Sequence, residues 1–290
     1  MIWDFSYDSP NAITNLLQER GFSMSKKFGQ NFLISSSARK RIADAVISKQ
    51  GVRVWEVGPG IGALTVQLLN RSANVTAFEI DHGFCRILRN EAFIGEPNFN
   101  LIEGDVLKTW EKVFHQQGTP DVICGNLPYN VGSVCIAKFL EKQCLPQLMV
   151  YTLQKEVADR LSASEGSKLW SSFTILANID YKVRTVCSIS SQSFYPPPNV
   201  DSSVVMMEKR VQPLVGPDER RTFLTMVDDV FAQRRKTLRN NLLSGKTVNL
   251  LGKENLLERL ELSGIPNNER AEQLGFPDLL LLHRYVFQEH

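Results

Sequence analysis

The run Gly125-Asn126-Leu127-Pro128-Tyr129 offers two hydrogen-bond acceptors, the Asn126 side-chain oxygen and the Leu127 carbonyl, beside a stiff proline and an aromatic ring. That set suits attack by an exocyclic adenine amine. The lone pair of such an amine is delocalised into the ring, so acceptors that hold its hydrogens are needed to draw the nitrogen towards tetrahedral geometry. Pro128 fixes the turn, and Tyr129 gives a face on which a base can stack. No general base is required at the attack step. Rate comes from holding the reacting atoms in line and from hydrogen bonds that strengthen as charge builds on nitrogen. The plain structural alternative is a proline turn carrying a core tyrosine.

A second group of residues could hold the electrophile. Glu56-Val57-Gly58-Pro59-Gly60-Ile61-Gly62 follows a predicted strand and opens a predicted helix, where glycines let a ligand approach backbone N–H groups. Its spacing is G-x-G-x-G, not the dinucleotide fingerprint, and Glu56 would repel a pyrophosphate. An uncharged or cationic ligand portion is favoured. Glu79, at the end of the next strand, is placed to accept both hydroxyls of a ribose. Asp105, after the third strand, could accept an adenine amine. Each acid alone is more often a helix cap or a solvated loop residue. Together, at the ends of consecutive strands, Gly58, Gly60, Glu79 and Asp105 describe a site for S-adenosylmethionine. Phe194, stiffened by Pro196-Pro197-Pro198, is a candidate second wall of the base pocket opposite Tyr129, with a surface polyproline turn as the alternative.

Positioning these residues calls for a sheet. Apolar runs at 52–57, 74–80, 99–102, 121–124 and 148–153 alternate with stretches long enough for helices, the pattern of an α/β protein with a mostly parallel sheet. Strands at 181–189 and 202–207, split by the proline-rich segment, fit an antiparallel edge hairpin and bring the count to seven. After Arg210 the chain passes Pro213 and Gly216-Pro217 into helical periodicity at 221–243 and 254–262. The expected division is therefore 1–212, an α/β domain with a basic N-terminal extension, and 213–290, a small all-helical domain.

Composition sets the outer limits. With 290 residues, 43% hydrophobic and 22% charged, the chain is an ordinary globular protein rather than a disordered or fibrous one. Five cysteines without a CxxC pair and four scattered histidines argue against a zinc site or disulfide framework, so no metal is expected. The N-terminus lacks the basic start and apolar stretch of a signal peptide, and no segment has the apolar length of a membrane helix. A reducing, cytoplasmic compartment is the expectation. Net charge is only +2, so a nucleic-acid partner must be met by local patches. Two stretches carry six basic residues each and no acid: residues 20–43, with Arg20, Lys26, Lys27, Arg39, Lys40 and Arg41, and residues 230–253, with Arg234, Arg235, Lys236, Arg239, Lys246 and Lys253. Two solvated helix faces would look the same.

These residues together resemble one family, the KsgA family of ribosomal RNA adenine N6,N6-dimethyltransferases. The resemblance runs from Lys27-Phe28-Gly29-Gln30-Asn31-Phe32-Leu33, through the glycine turn, Glu79-Ile80-Asp81, Gly104-Asp105 and Asn126-Leu127-Pro128-Tyr129. It continues in Gln154–Leu161, Phe194–Ser202, Gln233–Asn240 and Arg270–Leu274. It implies a Rossmann-like methyltransferase domain with a helical C-terminal domain that binds RNA or the ribosome. It also implies transfer of four methyls to two adjacent adenosines in the 3′-terminal hairpin loop of 16S ribosomal RNA. Carried over by position, Asn31, Leu33, Gly58, Gly60, Glu79, Asp105 and Asn126 would contact the cofactor. Asn126, Leu127, Pro128, Tyr129 and Phe194 would form the base site, and Lys26, Lys27, Arg234, Arg235, Lys236 and Arg239 would contact RNA. The family usually has a Tyr-Gly-Arg-Leu-Ser type segment where this chain has Leu169-Trp170-Ser171-Ser172-Phe173-Thr174, so the expected arginine is absent. Competing readings are a large-subunit adenine methyltransferase of the macrolide-resistance type, against which the Gln233–Arg239 segment and the triple proline argue, and an assembly or binding factor on the same fold. A monomer is expected.

Overall fold

Short apolar runs bounded by turn residues become the central strands, as suits a parallel sheet covered on both faces. The computed structural model describes residues 2–22, 31–47, 49–127 and 131–288. In chain order its strands are β1 (Phe32–Leu33), β2 (Arg53–Val57), β3 (Asn74–Glu79), β4 (Phe99–Glu103), β5 (Val122–Asn126), β6 (Leu148–Gln154), β7 (Tyr181–Ile189), β8 (Phe194–Tyr195) and β9 (Ser202–Lys209). Seven of them form one sheet in the order β4-β3-β2-β5-β6-β9-β7. The first five of that order are parallel, and β9 runs antiparallel to β6. β7 lies at the edge beyond β9. The direction of chain progression reverses between β2 and β5, and in open α/β sheets the crevice at such a point is where ligands bind.

The remaining two strands, β1 and β8, pair antiparallel in a small separate sheet, with Leu33 opposite Phe194 and Phe32 opposite Tyr195. Helices α1 (Pro10–Glu19), α2 (Ser36–Val46), α3 (Ala63–Leu69), α4 (His82–Ile87), α5 (Val106–Gln117) and α6 (Gly132–Glu141) belong to the same unit as the large sheet. Ser9, Ser35, Asp81 and Asp105 cap α1, α2, α4 and α5 by accepting backbone N–H bonds that the first helical turn cannot satisfy itself. Val54, Val75, Cys124 and Val150 from the sheet pack with Ile42, Leu64 and Leu68 from α2 and α3 in the main core.

The chain separates into residues 1–158 with 183–209, which hold the sheet, and residues 159–182 with 210–290. This differs from a single cut at 212, because a stretch from the middle of the chain joins the helical unit. α7 (Lys155–Leu161) leads into that stretch, which holds α8 (Ser172–Asp180). The reason lies in side chains: Trp170 is 5% exposed in the helical core, and its indole N–H donates to the Leu274 carbonyl at 2.9 Å. Asp180 pairs with Arg220 at 2.7 Å, both buried. The atypical Leu169–Thr174 segment thus carries an anchor of the second unit's core.

The rest of that unit is helical: α9 (Arg220–Val230), α10 (Leu238–Ser244), α11 (Thr247–Leu251), α12 (Lys253–Leu262) and α13 (Phe276–Phe287). The periodic run 221–243 is not one helix. Thr237 caps α10 by accepting from the Asn240 N–H, and the Asn241 amide donates to the Val230 and Gln233 carbonyls where α9 ends. Among the described residues no helix is long and apolar enough to cross a membrane.

Candidate active site

The site begins with two glycines. Gly60 has φ of 59°, a left-handed conformation that other residues adopt only with strain, and its N–H donates to Glu79 Oε2 at 2.9 Å. The other oxygen of Glu79 accepts from the Asp81 N–H at 2.9 Å. One carboxylate therefore fastens the turn after β2 to the end of β3. At Gly125 a Cβ would stand 2.3 Å from the Val57 carbonyl oxygen, so only glycine lets β5 come this close to β2. That approach brings Asn126 beside the glycine turn.

Asn126 is held by a bond from its Nδ2 to the Asn31 carbonyl at 3.0 Å. A carbonyl can only accept, so the amide orientation follows, with Oδ1 as the acceptor end of Asn126. The next residue is fixed as well, because the Leu127 N–H donates to the Thr152 carbonyl on β6 at 3.2 Å. Asp105 accepts from the Leu107 N–H at 2.9 Å, so it is a helix cap and a cavity wall at once. A carboxylate has lone pairs for both tasks.

One cavity at these strand ends is lined by Asn31, Leu33, Gly58, Gly60, Glu79, Asp105, Asn126 and Leu127. All seven expected cofactor positions are thus brought together from five separate stretches of sequence. Burial pushes the Glu79 carboxyl up to about 7, against the pull of its N–H bonds from Asp81 and Gly60. Glu56, 1% exposed on the same wall, is pushed up to about 8, chiefly by burial and further by the nearby Glu79. Thr65 Oγ1 donates to Glu56 Oε2 at 2.7 Å and pulls the other way. Two buried acids so poised favour a cationic ligand. The remaining lining is apolar, with Phe32, Ile80, Phe84 and Val106. Acids for a ribose, an amine and a positive charge among apolar walls are a donor set that fits S-adenosylmethionine.

Not every expected residue reaches this cavity. Phe194 does not line it: the ring is 2% exposed and packs in the core beside Leu33, its partner in the β1–β8 ladder. That cavity is the one for the cofactor, and the Pro128 and Tyr129 that would face Phe194 across a base lie outside the described residues. Lys26 and Lys27 lie outside them as well. Of the basic stretches, Arg234, Arg235 and Arg239 are exposed and Lys236 is half-buried. Arg234 also donates to the Lys168 carbonyl. Among the described residues of 20–43, two of the basic side chains are not free surface charges. Arg39 is 4% exposed and Arg20 is paired with Glu91 at 2.8 Å.

Sequence reasoning passed over Ile80 and Val106, each of which directly follows an acid at a strand end and lines the cavity. That adjacency was the available signal. Thr65 carried none, because its role depends on α3 returning over Glu56.

A family model described as Ribosomal RNA adenine dimethylase matches residues 21–275. The chain belongs to this family. The dimethylase is 41% identical over 279 residues to the ribosomal RNA small subunit methyltransferase A of Treponema denticola, covering 96% of this chain and 94% of that one. It is 40% identical over 280 residues to the protein of the same name from Bacillus cytotoxicus, covering 94% and 95%. Among solved structures, a dimethyladenosine transferase from Plasmodium falciparum superposes with a TM-score of 0.68 at 28% identity, over 86% of this chain and 94% of that one. The 23S rRNA methyltransferase ErmE superposes with a TM-score of 0.65 at 23% identity, over 89% of this chain and 100% of that one, a likeness of fold alone. The dimethylase is an S-adenosylmethionine-dependent, Rossmann-like ribosomal RNA adenine N6,N6-dimethyltransferase.

Proposed function

We propose that the dimethylase acts on small-subunit 16S ribosomal RNA, adding two methyls to each of two adjacent adenosines in the 3′-terminal hairpin loop. The cavity that gathers Gly60, Glu79, Asp105 and Asn126 at the reversal point of the sheet carries this reading. The small-subunit assignment is supported by relatives named ribosomal RNA small subunit methyltransferase A, which match 94–96% of the chain.

S-Adenosylmethionine supplies, when bound, a methyl carried on a positively charged sulfur. Glu79 would hold the ribose hydroxyls, Asp105 the adenine amine, and Leu33, Ile80 and Val106 the apolar faces. The Asn126 Oδ1 and the Leu127 carbonyl would accept the hydrogens of the target N6 amine. Holding those hydrogens would draw the nitrogen from planar towards tetrahedral geometry, so that the lone pair otherwise delocalised into the ring is localised on nitrogen for attack. The same acceptors bind more strongly as positive charge develops on nitrogen, which lowers the barrier without a basic side chain. Ile42 of α2, Phe84 of α4 and Phe32 of β1 would add apolar wall around the cofactor.

The exposed Arg234, Arg235 and Arg239 would meet RNA phosphates, with Lys26 and Lys27 as further contacts. Acting as a monomer in the cytoplasm, the protein would take part in small-subunit biogenesis. The test is mass spectrometry of both ribosomal RNAs after unmethylated particles are incubated with protein and S-adenosylmethionine. Dimethyladenosine at two adjacent positions near the small-subunit 3′ end is expected. Product confined to large-subunit RNA would move the assignment to the resistance-type enzyme, and tight particle binding without product to an assembly factor.

A further inference from the structure

Three aromatic residues alternate along the N-terminal segment. Trp3 and Phe5 stack with ring centroids 4.7 Å apart, and Phe5 meets Tyr7 edge-on at 5.1 Å. The segment is fastened to the first unit by the Trp3 N–H bond to the Ala92 carbonyl at 2.9 Å. Its important contact is the Tyr7 hydroxyl, which accepts from the Trp3 indole N–H at 2.6 Å and donates to the Ile61 carbonyl at 3.1 Å. Ile61 is fully buried and sits between Gly60 and Gly62. The hydroxyl thus has one donor and one acceptor, and its proton is aimed at the turn that bounds the cavity.

The same segment reaches a second part of the cavity wall, β1, through Arg39 of α2. This guanidinium is 4% exposed, and its Nη1 donates to the Leu33 carbonyl at 2.7 Å. Nη2 donates to Asp8, and the group lies over the Tyr7 ring at 5.8 Å. Leu33 lines the cavity, whereas Tyr7, Asp8 and Arg39 do not. The family model begins to match only at residue 21, so the shared family pattern assigns nothing to Tyr7 or Asp8.

We propose that Tyr7, Asp8 and Arg39 are positioning residues that set the cofactor cavity from outside, Tyr7 at the glycine turn and Arg39 at β1. Tyr7 and Asp8 together orient Arg39, so both walls are referred to one short segment. Planar guanidinium geometry is what allows Arg39 to serve Leu33 and Asp8 at once, a role a lysine could not fill. The inference rests on the reading of the cavity as the S-adenosylmethionine site.

The test compares full-length wild type with Tyr7→Phe, Asp8→Asn and Asp8→Glu. Calorimetry gives affinity for S-adenosylmethionine, steady-state kinetics give KM and kcat, and filter binding gives RNA affinity. Tyr7→Phe keeps the ring and removes one hydroxyl, so it should weaken cofactor binding about 3- to 10-fold and raise its KM by the same factor. Unchanged kcat and RNA affinity complete the expected pattern. Asp8→Asn should act in the same direction, and Asp8→Glu should restore the wild-type value. Cofactor affinity unchanged in both Tyr7→Phe and Asp8→Asn would overturn the proposal. Cofactor affinity, kcat and RNA affinity falling together would also overturn it, since that marks a merely structural role. Wild type that fails to bind S-adenosylmethionine would overturn the reading of the cavity, and the positioning role with it.

Discussion

The Asn126 amide nitrogen lies 3.0 Å from the Asn31 carbonyl, a bond that spans 95 positions of sequence. It ties the end of β5 to the residue that precedes β1. The side chain that would accept the target amine and a backbone wall of the cofactor cavity are therefore one hydrogen-bonded unit. Asn126 can be misplaced by a change at either end of that bond, or by one beneath it.

Gly125 lies beneath it. With a Cβ only 2.3 Å from the Val57 carbonyl oxygen, Gly125→Ala must push β5 away from β2. Such overpacking costs about 1–3 kcal/mol. The variant should lose that much stability by denaturant titration. Cofactor affinity should fall too, because Val57 leads directly into the glycine turn.

Binding of the cofactor should depend on pH in a direction set by two buried acids. Burial holds Glu56 at about 8 and Glu79 at about 7, above the ordinary 4.5, so between those limits the folded protein binds more protons than the unfolded chain. Stability of the ligand-free protein should therefore fall as pH rises through 5 to 8. A cationic ligand favours the ionised acids, so affinity for S-adenosylmethionine should rise over the upper part of that window. S-Adenosylhomocysteine lacks the sulfonium charge and should respond less. Calorimetry of both ligands from pH 6 to 9 checks this, and parallel slopes would contradict it.

Much of this site is visible in sequence, because the strands are short apolar runs and the acids fall at their ends. α3 spans Ala63–Leu69, as the residues after the glycine turn imply. What is not visible depends on contacts remote in sequence. β1 and β8 are two residues each, too short for any periodicity. Residues 159–182 join the helical unit through bonds such as Trp170 to Leu274, 104 positions apart, which no local pattern records. The pairing of Phe194 with Leu33, 161 positions earlier, is likewise recorded by no local pattern. Arg39 counted towards a basic surface but is buried under Asp8 and Tyr7.

The exposed pair Arg234 and Arg235 gives a prediction that separates RNA binding from chemistry. Replacing both with alanine should weaken binding to the small-subunit particle and lower the slope of log affinity against log salt by about 1 for each phosphate no longer neutralised. Affinity for S-adenosylmethionine should be unchanged. An unaltered salt slope would show that these two side chains do not meet phosphates.

The central claim is that Asn126 serves the reacting amine rather than the hold on RNA. Asn126→Ala should therefore be measured beside wild type for particle binding and for methyl transfer in the same preparation. The expected result is binding within about twofold of wild type and a transfer rate lower by about 10²- to 10³-fold or more, the scale for loss of a group that stabilises developing charge. Equal loss of binding and transfer, or transfer close to the wild-type rate, would contradict the role assigned to Asn126.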